Sequence, residues 1–164
     1  MRVFTSVSCA TRGRRGTPWI LLGAILAGVC ASAQYAGAAD QPAFTAAIDD
    51  SPLTIKLLPN EVVTDAVRKF YETGDDPYKS DPTALGDGKK MYAQWCQTCH
   101  MPDGSGRIGP SLIGETHHYP RFTTDKGMFE IVYDGATGAM QGFGNRLTQD
   151  QILRVMAYVR SLKK

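Results

Sequence analysis

One run of five residues, Cys96-Gln-Thr-Cys-His100, constrains this chain more than any other feature. Two thiols separated by two residues can both bond to the vinyl groups of one haem, and the adjacent imidazole then lies beneath the iron as an axial ligand. The motif therefore predicts that Cys96 and Cys99 attach haem c covalently and that His100 ligates its iron. The spacing specifies both a porphyrin and a metal.

A Cys-x-x-Cys pair can also be a redox-active dithiol or half of a zinc site. A zinc site needs a second pair of ligands, but no cysteine follows Cys99, and the adjacent His117 and His118 lack the spacing of a zinc-binding histidine pair. A thioredoxin-like site would lie in a βαβ unit, and no such pattern is apparent. Haem attachment is therefore the favoured interpretation.

The first 39 residues have the features of a secretory signal peptide. Residues 12–15 are rich in arginine, residues 19–29 are apolar, and small residues follow. We expect cleavage between residues 33 and 39, with an uncleaved anchor as the alternative. The apolar run is too short to predict a membrane span, so none is expected in the mature chain.

Cleavage would change both the thiol content and the charge of the protein. Cys9 and Cys30 would be lost, which leaves Cys96 and Cys99 as the cysteines of the mature chain. Four of the 18 basic residues and none of the 16 acidic ones lie in the signal segment, so the mature chain would carry a net charge of −2. The absence of a spare thiol suits an oxidising compartment.

The remaining residues are enough for one compact domain. We expect an N-terminal extension with one helix over residues 40–80 and a haem domain over residues 81–164. Within the extension, the prolines of residues 40–60 predict an extended arm on the domain surface. Asn60 is then predicted to cap a helix from Glu61 to Thr73, which Gly74 ends.

An acidic, turn-rich segment, residues 75–82, joins the extension to the haem domain. Several carboxylates in a short stretch could bind Ca²⁺. The segment lacks the Asp-x-Asp-x-Asp-Gly pattern of a calcium loop, so a solvated loop is the favoured interpretation. Calcium therefore remains possible but has no motif to support it.

Three helices are predicted in the haem domain. The first begins between Asp81 and Leu85 and continues to Cys96, and the second covers residues 125–133 and stops at Gly135. The last begins after Thr148, where a glutamine three residues later completes a capping box. Together with the helix of the extension, these helices predict an all-α fold.

The residues after His100 indicate how its imidazole is held. The Pro110 carbonyl can accept the hydrogen of the His100 Nδ1 atom, which leaves the Nε2 atom free for iron. Leu112 is expected to pack against the porphyrin.

The sixth iron ligand decides the chemistry, because an open position allows oxygen or peroxide reactions whereas a thioether favours electron transfer. Met101 adjoins His100 and is expected on the same side of the porphyrin. Three other methionines lie at apolar helical positions, where core packing is expected: Met91, Met128 and Met156.

Met140 is the methionine that remains, and it lies in a glycine-rich loop over residues 135–144. Such a loop can bring one side chain close to a porphyrin face. We therefore predict Met140 as the sixth ligand. His117 and His118 are the alternatives, although adjacent residues in a proline-bounded loop are more often surface or packing groups.

Several segments resemble known cytochromes. Gly88 and Tyr92 before the motif, with Tyr158 in the last helix, resemble class I cytochromes c, in which the first and last helices cross over a small residue and an aromatic pair. Residues 124–140 and 153–160 resemble cytochrome c-L, the electron acceptor of periplasmic PQQ-dependent methanol dehydrogenase. The resemblance implies a class I cytochrome c fold, one haem c, and packing of Tyr92 against it.

The same resemblance implies the function. The protein is expected to be a periplasmic, monomeric electron carrier and not an enzyme, with no nucleic-acid partner. It would take single electrons from methanol dehydrogenase and pass them to a small c-type cytochrome or an oxidase. Residues 100–106 and 109–114 resemble the branch paired with lanthanide-dependent dehydrogenases. The rival interpretations are a carrier for another dehydrogenase or oxidase and a haem enzyme such as a peroxidase.

Overall fold

The computed structural model describes residues 43–162, and the predicted signal peptide lies outside them. In this part of the chain the helices are α1 (Asp65–Thr73), α2 (Pro82–Trp95), α3 (Gln97–His100), α4 (Asp125–Asp134) and α5 (Gln149–Ser161), and a 3-10 turn covers Pro120–Thr123. Residues 43–162 contain no β-strand, only two isolated bridges. The all-α prediction is confirmed, and no helix in this range is long and apolar enough to cross a membrane.

Helices α2 and α5 cross at Gly88, where the two backbones come into close contact. A Cβ atom on Gly88 would lie 2.0 Å from the carbonyl oxygen of Arg154, so a larger residue would force the helices apart. One turn further along α2, the rings of Tyr92 and Tyr158 pack with centroids 5.3 Å apart. This is the crossing that the resemblance to class I cytochromes implied.

The capping box at the start of α5 is confirmed. The Gln151 backbone N–H donates to the Thr148 hydroxyl at 3.2 Å, and the Thr148 backbone N–H donates to the Gln151 side chain at 2.9 Å. The helix then buries one apolar face in the core: Ile152, Leu153, Val155, Met156 and Val159. Helices α1, α2 and α4 pack against α5.

The predicted start of α1 is wrong. Asn60 adopts a left-handed φ of 63°, and the helix begins at Asp65 after the Thr64 cap. Glu61 is not helical because its carboxylate accepts hydrogen bonds from the Leu58 N–H and, 88 residues away, from the Gln149 N–H, both at 2.7 Å. The predicted end at Gly74 is confirmed, with φ at 74°.

The N-terminal arm is more than a surface segment. Phe44 is buried, and its ring packs on those of Phe70 and Phe129 at centroid distances of 6.1 and 5.5 Å. The next residue, Thr45, donates its backbone N–H to the buried carboxylate of Glu130 at 2.9 Å. Side-chain burial thus anchors an arm whose regular structure is limited to one isolated bridge between Thr45 and Pro52.

The acidic loop over residues 75–82 is not wholly solvated, as Asp76 is buried. Its backbone N–H donates to the Asp125 carboxylate at 2.8 Å, and Asp125 also pairs with Lys79 and Arg160 at 2.6 and 3.2 Å. Burial raises the pKa of Asp76 to about 7. Within residues 43–162, no group of three or more His, Cys, Asp or Glu residues is placed to hold a metal ion.

Candidate haem site

Helix α2 leads directly into the cysteine motif, so a single rigid segment positions both thiols. The Cys96 backbone N–H donates to the Tyr92 carbonyl at 2.8 Å, and α3 then carries Cys99 and His100. Neither thiol is in a disulfide. Burial, with a smaller contribution from Cys99, raises the pKa of the Cys96 thiol to about 12, whereas a redox-active dithiol needs a lowered pKa.

The His100 imidazole is fixed from one side by the loop that follows it. Its Nδ1 atom lies 2.9 Å from the Pro110 carbonyl oxygen, which can only accept a hydrogen bond. The Nδ1 atom is therefore the protonated one, and the Nε2 atom keeps its lone pair for a metal. Gly109 lies against the ring, since a Cβ atom there would be 2.5 Å from His100 Cε1.

Backbone hydrogen bonds hold the proximal loop, residues 101–112, against the end of α3 and join its two ends. The Gly106 and Gly109 N–H groups donate to the carbonyls of His100 and Cys99, each at 3.0 Å. The Leu112 N–H donates to the Gly104 carbonyl at 2.8 Å. The loop therefore forms a rigid cradle under the imidazole.

Two adjoining cavities lie around these residues. The inner cavity encloses about 200 Å³ and is lined mainly by apolar side chains of α4, α5 and the loops between them. The outer cavity encloses about 260 Å³ next to the exposed Ile108. Together they are lined by all seven predicted site residues: Tyr92, Cys96, Cys99, His100, Pro110, Leu112 and Met140.

Met140 lies in a distal loop, residues 135–144, that a short antiparallel bridge holds in a tight turn. The Ala136 N–H donates to the Met140 carbonyl at 3.1 Å, and Gly135 adopts a left-handed φ of 99°. Like His100, Met140 lines both cavities. An imidazole and a thioether therefore border the same apolar space.

The alternative ligands His117 and His118 also line the inner cavity. The His117 ring packs on Phe122 with centroids 4.5 Å apart, and the His118 ring packs on Tyr119 at 4.9 Å. Both histidines thus make the packing contacts expected of them. Because they also border the inner cavity, they remain alternatives to Met140 as the sixth iron ligand. Met128 and Met156 are buried in the core.

Sequence reasoning missed several residues that line the cavities. Tyr119 borders the inner cavity, and Thr137 and Phe143 border both. The Gly-Phe-Gly sequence around Phe143 was a possible signal, because an aromatic residue between glycines in a ligand loop is well placed to face a cofactor. Tyr119 lies in an irregular segment and has no comparable signal.

The donor set fits a covalent haem. Two thiols, an imidazole with its Nε2 atom available and a thioether surround an apolar cavity, and Cys96, Cys99, His100 and Met140 would hold the group.

Comparison with known proteins narrows this assignment. The family described as "Cytochrome C oxidase, cbb3-type, subunit III" matches residues 83–159, which include the cysteine motif and Met140. Cytochrome c-L of Methylorubrum extorquens is 38% identical over 99 residues, covering 60% of this chain and 50% of that protein. The chain thus spans about half the length of this relative.

Two solved structures decide the family. Cytochrome CL from the marine methylotrophic bacterium Methylophaga aminisulfidivorans superimposes with a TM-score of 0.72 at 35% identity, covering 74% of this chain and 81% of that one. Cytochrome cL from Hyphomicrobium denitrificans gives 0.72 at 36% identity, with 76% and 75% covered. The chain belongs to the cytochrome cL family.

Membership of the cytochrome cL family confirms the class I cytochrome c fold and implies covalently bound haem c. The haem-binding residues Cys96, Cys99, His100 and Met140 stay predictions. The boundary at residue 80 between the N-terminal extension and the haem domain also stays a prediction. The resemblance to the branch paired with lanthanide-dependent dehydrogenases also stays a prediction.

Proposed function

We propose that this cytochrome cL is a periplasmic electron carrier that accepts single electrons from a PQQ-dependent methanol dehydrogenase and passes them to a downstream cytochrome or oxidase. The observation that carries the proposal is that His100 and Met140 border the same two cavities. The family name of its relatives and the methylotrophic source of one of them support the methanol dehydrogenase as donor.

In this proposal Cys96 and Cys99 attach haem c, which supplies a one-electron iron couple when bound. His100 and Met140 would ligate its iron, and the Pro110 carbonyl would keep the imidazole in the required tautomer. Tyr92 and Leu112 would pack against the porphyrin. The apolar lining excludes water, which favours the less charged reduced state and, with the thioether, raises the reduction potential.

Partners would approach from the outer cavity. Cys99 borders this cavity, and the Ile108 side chain beside it is 65% exposed. Gly138 and Ala139 of the distal loop also border it and are exposed. An apolar edge of modest size favours weak, fast association, which suits a carrier that must dock and leave in every cycle.

The donor can be tested with the mature holoprotein. Oxidised protein is mixed with catalytic amounts of a purified PQQ-dependent methanol dehydrogenase, and haem absorbance is followed after methanol is added. We expect reduction that requires both enzyme and methanol. Reduction by a PQQ-dependent glucose dehydrogenase with glucose, but not by the methanol enzyme, would favour a carrier for another dehydrogenase.

The sixth ligand is tested by Met140→Ala. Loss of the thioether should lower the reduction potential and let the reduced protein bind CO, which the wild type should bind poorly. Met101→Ala, on the proximal side, is the matched control. An unchanged potential and spectrum in Met140→Ala would transfer the ligand role to another methionine or to His117 or His118. Ready CO binding by the wild type would favour a haem enzyme.

The maturation of the protein can be tested separately. We propose cleavage between residues 33 and 39, one haem per chain, a periplasmic location and a monomeric state. The intact mass of protein recovered from the periplasmic fraction reports the cleavage site and the haem count, and light scattering reports the oligomeric state. A cytoplasmic product with residue 1 intact would contradict the proposal.

A further inference from the structure

The tip of the distal loop is attached to a neighbouring loop by one tyrosine. The Tyr119 hydroxyl accepts a hydrogen bond from the Thr137 backbone N–H at 2.9 Å and shares a second with the Thr137 hydroxyl. Both residues line the inner cavity, and Thr137 lies three residues before Met140. The two hydrogen bonds thus join the Met140 loop to the segment before the 3-10 turn.

The rest of the distal loop is held at its base. The Phe143 and Gly144 N–H groups donate to the carbonyls of Val132 and Tyr133, each at 2.9 Å. The tip, residues 137–139, is exposed, and Gly138 has a left-handed φ of 87° with no atom within 4 Å of a Cβ position. Within residues 43–162, the tip's hydrogen bonds to other segments are those to Tyr119.

We propose that Tyr119 is a positioning residue for Met140. The Tyr119 hydroxyl holds the tip of the distal loop over the inner cavity. The Met140 thioether therefore stays at the cavity that His100 also borders. The inference rests on the proposed role of Met140 as the sixth ligand.

The effect follows from the weakness of a thioether bond to Fe(III), since a soft ligand binds a hard ion poorly. Loop opening therefore competes with ligation, and the Tyr119 bonds add to the free energy that opening must overcome. Both bonds lie at exposed positions, where a neutral hydrogen bond changes such an equilibrium by about two-fold, so loss of the two changes it by about five-fold. The reduced protein, with a softer iron, should be much less affected.

The test is Tyr119→Phe in the mature holoprotein, which removes the hydroxyl and keeps the ring. The wild type should show the red absorption band of a Met–Fe(III) bond. In the variant, imidazole should bind Fe(III) about five-fold more tightly and displace that band at correspondingly lower concentration. Tyr71→Phe is the matched control, because its hydroxyl donates to Gln149 in α5 at 2.6 Å and not to the Met140 loop.

A second pair of variants tests the same bonds if Tyr119→Phe fails to mature. Thr137→Ala removes the hydroxyl partner and should give a smaller increase in imidazole affinity, while Thr137→Ser keeps both bonds and should resemble the wild type. Equal imidazole affinities in Tyr119→Phe, Tyr71→Phe and the wild type would overturn the role of Tyr119. A wild type without the Met–Fe(III) band would overturn Met140 ligation itself, and the two failures are therefore distinguishable.

Discussion

The proximal loop and the distal loop border the same cavity but are held in different ways. Proximal hydrogen bonds join residues close in sequence, as between His100 and Pro110, which are ten residues apart. The base of the distal loop is also held by nearby residues, since the Gly144 N–H donates to the Tyr133 carbonyl, but its tip depends on a more remote one: Thr137 bonds to Tyr119, 18 residues away. The Tyr133 ring lies against Gly144, and its hydroxyl bonds to Lys56, 77 residues away.

This difference indicates which substitutions should displace each predicted iron ligand. The His100 side carries its own support within a short stretch of chain, so changes within that stretch should disturb it most. The Met140 side takes the support of its tip from Tyr119, which precedes the 3-10 turn, and that of its base from α4. Changes far from the loop in sequence should therefore reach Met140 while they leave His100 in place.

The largest effect is expected from Gly109→Ala on the proximal side. The new methyl group would lie 2.5 Å from His100 Cε1 and 2.8 Å from Nδ1, and the ring is already bound to Pro110. We expect the free energy of unfolding to fall by about 3 kcal/mol, as for other overpacked sites. Chemical denaturation of the holoprotein measures this change.

Gly138→Ala is the distal counterpart. Its Cβ atom would meet open space, so the cost is limited to the left-handed φ, about 1 kcal/mol. Equal costs at the two glycines would contradict the view that the proximal loop is the more tightly packed one.

The next effect concerns pH and Asp76. Burial raises the pKa of this carboxyl to about 7 from its ordinary value of 3.8, and the neighbouring charge of Asp125 adds to the rise against the opposing effects of the Tyr78 N–H, Lys79 and Arg160. The folded state therefore holds its proton more tightly than the unfolded state. The stabilisation is complete below about pH 4 and is lost as pH rises to about 7.

Asp76→Asn should remove this pH dependence. We expect its free energy of unfolding, relative to wild type, to rise by about 2 kcal/mol between pH 4 and pH 6. Because the Asp76 N–H donates to Asp125 at the start of α4, we expect α4 and the distal loop to be the first parts destabilised as the pH rises. Asp65→Asn, at an exposed carboxylate, is the control, and a parallel profile for both variants would count against the prediction.

The smallest effect is expected at the attachment of the arm. Tyr133→Phe removes the hydroxyl that accepts from the Lys56 N–H at 2.7 Å and donates to its carbonyl at 3.2 Å, but it keeps the ring under Gly144. Loss of these bonds should cost about 1 kcal/mol.

Amide hydrogen exchange should show the loss as faster exchange at residues 53–56 in Tyr133→Phe, with the Met–Fe(III) band retained. Tyr158→Phe, in the helix crossing, is the control and should leave exchange in the arm unchanged. Loss of the band in Tyr133→Phe would show that the arm itself, and not the ring, supports Met140.

Local signals predicted most of the helices. Asp81 and Thr148 accept hydrogen bonds at the starts of α2 and α5, and Gly135 follows the end of α4. Such helix ends can be predicted from the sequence because capping residues act within one turn. Asn60 was wrong as a cap because Glu61 bonds to Gln149 at the start of α5, a contact that no local pattern contains.

Burial within irregular segments could not be predicted. Phe44 and Asp76 lie in stretches without a hydrophobic period, so nothing in their neighbours indicates which side faces the core. Their partners, Phe129 and Asp125, belong to α4 and meet them only after the chain has folded.

The sequence by itself determined the cysteine motif, the order of the helices and the acceptor for the His100 imidazole, because short covalent spacings limit what neighbouring residues can reach. Only the tertiary structure brought Met140, Tyr119 and Thr137 to the cavity that His100 borders. That arrangement depends on α4 packing against α5, which in turn crosses α2 in backbone contact at Gly88, and no local pattern contains these contacts between helices.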